Sequence, residues 1–353
     1  MQVWRLVSAW IRMGHQADIA GHRIPSKFHN GVRLINLPVF YRAGRVVRAL
    51  SYFFSLARHL LVSKKNYDLI YCRFLGEAAL SVVFLKKVGL LSLPMVAVPA
   101  AAGINDKSDV ALLRSLPANQ IILRAINRHC DCVNFIAPGI KQSLSSIGLK
   151  PKLAVEIPNG VPVSSEIASG PVDKVVKLVF VGRLAHQKGI DILFQALSLL
   201  KKSEPVFEIT LIGNGPDRKR LEDLADQLSL SNCVLFRGEQ SEDKIRIEMI
   251  NAHLFVLPSR YEGMSNAALE ALSYGLPCIL TACGGIDTHI TPNTGWVCEP
   301  GNPQDLYRAL SEAGRLTSEK WRKMSTDCRT LIQENFALEW VARKNMELFE
   351  ALC

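Results

Sequence analysis

Short apolar runs alternate with longer segments of helical periodicity along the chain. Runs at 69–72, 95–98 and 132–137, and again at 177–181, 207–212, 234–237, 255–257 and 278–282, have the length and character of buried strands. Between them, segments such as 76–87, 140–147 and 217–228 predict helices. This alternation predicts βαβ units and parallel sheets. Ahead of these units, Val3, Leu6, Val7, Trp10 and Ile11 share one face of a helix over 3–13, Gly14 stops it, and a strand over 16–20 follows. At the far end, Leu338, Val341, Ala342, Met346 and Phe349 recur at helical spacing within 336–352.

The chain has 353 residues, 48% of them hydrophobic, enough for two packed cores. Pro158, Asn159 and Gly160 form a strong turn signal, and a boundary is expected over about 164–173. The expected organisation is one domain over 1–165, a second over 173–335, and a terminal helix over 336–353.

Charge divides along the same line. Residues 1–170 carry 21 Lys and Arg against 8 Asp and Glu, whereas 171–353 carry 21 against 24. The first half therefore suits an anionic partner. No zinc-finger spacing, RNA-binding signature or basic heptad points to nucleic acid, so an anionic membrane surface is the expected partner. Over 41–65, Arg42, Arg45, Arg48, Arg58, Lys64 and Lys65 interleave with Tyr52, Phe53, Phe54, Leu60 and Leu61. Such a helix can lie on an anionic leaflet, or pack on a sheet with a solvated basic face.

Nine cysteines, an odd number set mostly within apolar runs, read as reduced core thiols in a cytoplasmic protein. Cys130 and Cys132 form the single close pair, a weak basis for metal binding. No run reaches the roughly 18 apolar residues that would span a bilayer, and the first 15 residues do not resemble a signal peptide. The expected location is the cytoplasm, peripheral on the inner face of the membrane.

Chemistry concentrates over 255–277, FVLPSRYEGMSNAALEALSYGLP. A buried strand ends at Leu257, a turn carries Pro258 and Gly263, and a helix begins near Ser265 or Asn266. A helix start attracts phosphate through unpaired N–H groups and its positive dipole end. Glu262, just before it, can accept hydrogen bonds from sugar hydroxyls, and Glu270, about one turn in, can take the two hydroxyls of a ribose. Without further context the same residues describe a capped helix with two exposed acids. After the 177–181 strand, Gly182 to Gly189 carry Arg183 and Lys188 at the end of an open α/β sheet, where ligands bind. In isolation these are ordinary surface charges. Gly213-Asn214-Gly215-Pro216 lacks the third glycine of a dinucleotide fingerprint.

Together, Ser259, Glu262, Gly263, Glu270, Ala271, Gly275 and Pro277 resemble the Glu-x7-Glu signature of the family-four retaining glycosyltransferases, which have the GT-B fold. The 182–189 segment is similar to the family's GRL…QKG string, 213–216 to its GxGP loop, and 157–161 to its IPNGV turn, with Pro162 where Asp is common. The resemblance implies two doubly wound, Rossmann-like α/β domains facing across a cleft, the first binding an acceptor and the second a nucleoside-diphosphate sugar. It implies that the final helix crosses back to the first domain. Arg183 and Lys188 would neutralise the leaving diphosphate and Glu262 would face the transferred sugar, making these three the catalytic set. Gly182, Arg183, Lys188, Gly213, Gly215, Arg237, Gly238, Glu262, Gly263, Met264, Ser265 and Glu270 would form the donor site, with Arg237 and Gly238 over the base.

No cofactor is expected, UDP is the expected sugar carrier, and no Asp-x-Asp site calls for a metal. The family ordinarily has a strand and a Gly-rich turn ahead of its first helix, absent here before 3–13, and a His where this chain has Pro99 to Ala102. The implied reaction is transfer of a sugar, with retained anomeric configuration, to a glycan or lipid-linked acceptor of bacterial capsule, exopolysaccharide or lipopolysaccharide. A nucleotide-sugar epimerase or glycan phosphorylase of the same fold, or a non-catalytic binding protein, remain the alternatives. Asp109, in the polar segment from Gly103 through Asn105, Asp106 and Ser108, is expected to cap a helix near Val110.

Overall fold

A computed structural model describes residues 2–24, 31–40, 42, 44–100, 109–116, 118–171, 175–200 and 206–353. Gly103, Asn105, Asp106 and Ser108, with Asp173 of the expected boundary, lie outside the described residues, as does the side chain of Arg45. The chain forms two compact units, Met1–Gly160 with Leu338–Cys353, and Val161–Ala337.

In the first unit, β1 (Asp18–Gly21) and β2 (Arg33–Asn36) pair in parallel as one small sheet. A separate parallel sheet has the order β3 (Ile70–Arg73), β4 (Met95–Val98), β5 (Cys132–Asn134), β6 (Ala154–Val155). Every residue of β4 is fully buried, as a central strand covered on both faces requires. Helix Gln2–Arg12 and helix Leu338–Leu352 pack in this unit through Trp10, which meets Phe349 edge-on at 5.3 Å and Tyr71 at 5.4 Å. Asp109 opens helix Asp109–Ser115 as its first residue, and its buried carboxylate also accepts from the N–H groups of Leu75 (2.8 Å) and Ala100 (2.9 Å), joining the ends of β3 and β4. In the turn at 158–160, Asn159 is buried and accepts from Arg73 at 3.0 Å.

The second unit holds a six-stranded parallel sheet built from β7 (Val175–Val181), β8 (Val206–Ile212), β9 (Val234–Gly238), β10 (Leu254–Leu257), β11 (Cys278–Thr281) and β12 (Gly295–Cys298). Its order is β12-β11-β10-β7-β8-β9. From β7 the chain winds outward through β8 to β9, then returns to the other side of β7 and winds the opposite way. Because all pairings are parallel, every carboxyl end lies on one edge, and the winding reverses between β7 and β10. Loops that leave adjacent strands in opposite directions open a crevice there, which is where open α/β sheets hold ligands. β10 and β11 are buried at every position, so this edge rests on a rigid base.

All nine cysteines are free thiols, six of them buried. The described residues contain no group of three or more His, Cys, Asp or Glu able to hold a metal, and no helix long and apolar enough to cross a membrane.

Candidate active site

The reversal point carries the acid and the cation together. Lys188 lies in a short 3-10 turn, His186–Lys188, after β7, and Glu262 lies in the loop after β10. Both are half-buried, and the Lys188 ammonium donates to Glu262 Oε2. Ser259 Oγ adds a longer contact of 3.4 Å to the same oxygen. Sequence reasoning placed the two residues at different parts of a ligand; the structure places them on each other.

Arg183 lies just beyond Gly182 at the end of β7, is exposed, and makes no ion pair among the described residues. With Gly182, Gly213, Asn214, Gly215 and Glu239 it lines a groove of about 540 Å³. The groove exists because backbones replace side chains. Gly213 has φ +129°, and a Cβ there would sit 2.0 Å from the Gly182 carbonyl oxygen. Leu184 N–H donates to Asn214 O at 3.0 Å and Gly213 N–H to Gly238 O at 2.8 Å, so the three loops are tied edge to edge.

Helix Asn266–Ser273 begins beside Glu262, and Ser265 caps it by accepting from Ala268 N–H at 3.3 Å. Gly263, Met264 and Ser265 are buried at this helix start, and Glu270 is half-buried one turn further on. The loop is braced from β11, where the Thr281 hydroxyl and Cys283 thiol both donate to Ser259 O. Gly285 passes so close to Gly263 that a Cβ would lie 1.9 Å from its oxygen. Burial, only partly offset by hydrogen bonding, pushes the Cys283 thiol up to about 11, so it stays protonated.

Arg237, expected over a base, is engaged within its own unit. The β8–β9 register shifts between Leu211 and Ile212, pairing Ile212 with Gly238, and Arg237 turns to Glu248 in an ion pair of 3.1 Å. Gly238 serves through its carbonyl, and the groove is lined by Glu239. Sequence reasoning also missed Asp191 and Arg260. Arg260 grips the Asp191 carboxylate with two bonds of 2.8 Å, donates to His186 O at 2.8 Å, and its N–H donates to Gln187 O. Gln187 Nε2 returns a bond to Tyr261 O at 3.0 Å. These contacts fasten the Lys188 turn to the Glu262 loop. The one available signal was an acid in the first turn of helix Ile190–Ser198, which reads equally well as a dipole partner.

Comparison with known proteins accords with this geometry. A family model for group 1 glycosyl transferases matches residues 166–328, and one for glycosyltransferase family 4 matches residues 1–165. The chain belongs to glycosyltransferase family 4. Among curated family members, one component of the phosphatidylinositol N-acetylglucosaminyltransferase of Arabidopsis thaliana is 29% identical over 168 residues, covering 47% of this chain and 37% of that one. The chain thus spans well under half the length of that relative. Among solved structures, the apo lipopolysaccharide outer core galactosyltransferase WaaB aligns with TM-score 0.78 and 18% identity, covering 99% of this chain and 95% of the other. Anabaena HepE in complex with UDP aligns with TM-score 0.79 and 17% identity, covering 99% and 96%. At these identities the likeness establishes the fold, which is that of the GT-B glycosyltransferases with Rossmann-like domains.

Proposed function

We propose that the second unit binds a nucleoside-diphosphate sugar at the reversal point, and that the chain transfers the sugar with retained configuration to a glycan or lipid-linked acceptor in surface polysaccharide assembly. The observation that carries the reading is the convergence there of Arg183, the Lys188–Glu262 pair and the capped start of helix Asn266–Ser273. Two cations and a helix start suit a diphosphate. The acid among them suits sugar hydroxyls, and Glu270 a ribose. UDP is the proposed carrier, supported by the UDP held in the structurally similar Anabaena protein. Surface polysaccharide is supported by the likeness to a lipopolysaccharide galactosyltransferase.

In the proposed reaction the bond between the anomeric carbon and the diphosphate breaks while the acceptor oxygen bonds to that carbon from the same face. The acceptor proton passes to a donor phosphate oxygen. Arg183, Lys188 and the helix start stabilise the negative charge on the departing diphosphate, the main electrostatic service to such a step. Lys188 is shared between Glu262 and the phosphate, which draws Glu262 to the sugar side of the site. No metal or cofactor is assigned a role.

A thermal-shift screen against nucleoside diphosphates and their sugars tests the donor site. At about 100 times its dissociation constant a ligand stabilises by roughly 2.7 kcal/mol. Stabilisation by uridine nucleotides, lost in Arg183→Ala and Glu270→Ala, is the expected result. Binding without transfer to any acceptor, and without hydrolysis, would instead mark a non-catalytic binding protein.

A further inference from the structure

Helix Gly44–Ser63 is amphipathic in an unexpected sense, because its inward and outward faces are both apolar. Leu56, Ala57 and Leu60 are buried in the core of the first unit. Tyr52 and Phe53 are half-buried, and burial with the nearby Cys72 and Glu77 pushes the Tyr52 phenol up to about 12. The outward stripe is formed by Val47, Leu50, Phe54 and Val62, with exposed Arg58 between the last two. Leu50 is 51% and Phe54 65% exposed.

The stripe continues onto its neighbours. Phe53 bridges it to helix Glu77–Lys87, meeting Phe54 at 5.3 Å and Phe84 at 5.4 Å, both edge-on. Phe84 is itself 49% exposed and is followed by exposed Lys87, Val88 and Leu90. On the other side Phe40, 72% exposed, is held by its N–H on Ser51 Oγ at 3.0 Å, and Ser55 donates to Pro38 O. Soluble monomers rarely leave so many large apolar side chains contiguous and open to water.

Charge decides what covers them. Residues 19–67 contain nine Lys and Arg and no Asp or Glu. The first unit as a whole carries 23 basic against 10 acidic residues, the second 19 against 22. A second copy of the same face would bring like charges together. A surface that is anionic outside and apolar beneath satisfies both halves of the patch.

We propose that Phe40, Leu50, Phe54 and Phe84 form an insertion face by which the first unit docks on an anionic lipid bilayer, with Arg58, Lys64, Lys65 and Lys87 meeting its headgroups. The apolar side chains enter the acyl boundary and the basic ones stay at the surface. This face is separate from the residues of the donor site.

The test is co-sedimentation of the full chain with vesicles of phosphatidylcholine alone and of phosphatidylcholine with phosphatidylglycerol, from low to high salt. Retention on the phosphatidylglycerol vesicles, weakening as salt rises, is expected. The double variant Leu50→Ser and Phe54→Ser should lose at least tenfold in partitioning without loss of charge. Its melting temperature and nucleotide response should match the parent, because both side chains are already exposed. Arg58→Gln with Lys64→Gln and Lys65→Gln should bind weakly and lose the salt dependence. Failure to bind phosphatidylglycerol vesicles at low salt overturns the proposal. So does retention that the serine pair leaves unchanged, or self-association in lipid-free sedimentation velocity that the serine pair abolishes.

Discussion

Arg260 holds Asp191 through two parallel hydrogen bonds of 2.8 Å, a fork-to-carboxylate clasp between the loop after β10 and the helix after β7. Arg220 reaches the same carboxylate at 3.9 Å. The clasp sets where Lys188 stands relative to Glu262, though neither of its members faces the groove.

Replacing Asp191 with Asn removes the charge-assisted bonds while preserving shape. A cost of about 2 kcal/mol is expected for a half-buried, bidentate pair. Urea unfolding measures it, and nucleotide affinity should fall in parallel as the two loops loosen. Unchanged stability together with unchanged affinity would show that the loops need no clasp.

Glu262→Gln separates the acid from the cation it holds. Lys188 is then released to a diphosphate, so nucleoside diphosphate binding should hold or tighten while sugar transfer falls by about 10² to 10³. Arg183→Ala should lower both binding and transfer, with the melting temperature unmoved because Arg183 is exposed. Equal losses of binding in the two variants would contradict these separate roles.

Gly213→Ala tests the backbone packing beneath the groove. A methyl group would meet the Gly182 carbonyl at 2.0 Å in a conformation that L residues rarely adopt. A loss of about 3 kcal/mol is expected, with nucleotide response abolished even where the variant remains folded. Gly301→Ala, also at positive φ but facing open space, serves as the strain control and should cost less.

Acid should weaken the second unit in two stages. Burial holds the His289 imidazole below its ordinary 6.5, against a smaller opposing pull from Asp287. The unfolded chain therefore binds this proton first, and stability declines as pH falls from 6.5 toward the folded value. Asp191 follows lower down. Burial alone would raise its carboxyl, but the hydrogen bonds and charge of Arg260, with Arg220, outweigh burial and hold it below 3.8. Its contribution is complete above 3.8 and fades as pH drops through the folded value. Melting temperatures from pH 7 to 3 measure both stages; His289→Gln should flatten the first and Asp191→Asn the second. Parallel curves for parent and variants would refute the assignment.

Much of the second unit was legible in one dimension. The strand ending at Leu257, the capped helix beyond it and the glycine turns after 181 and 212 lie where the pattern placed them. Strong apolar runs and Gly-rich turns are local signals, so they survive the absence of coordinates. Arg237 shows the limit. Its strand was legible, but a register shift between β8 and β9 turns the side chain to Glu248, and register is a property of two strands. In the first unit β2 carries a short run that stands out weakly, and the pattern of helix Gly44–Ser63 suits both a membrane surface and a sheet, so it does not say which aromatic residues turn inward, as Tyr52 and Phe53 do.

By itself the sequence determined most elements of the second unit, that their sheets are parallel, and which charged residues and glycines stand at strand ends, because these follow from periodicity, turn chemistry and local charge. Only the tertiary structure decided that Lys188 and Glu262 share a proton-bearing contact, that Asp191 and Arg260 fasten their loops, and that Leu50 and Phe54 face water. Pairings between residues some 70 positions apart depend on strand order and loop packing. A helix with two apolar faces has no preferred side until a sheet is laid against one of them.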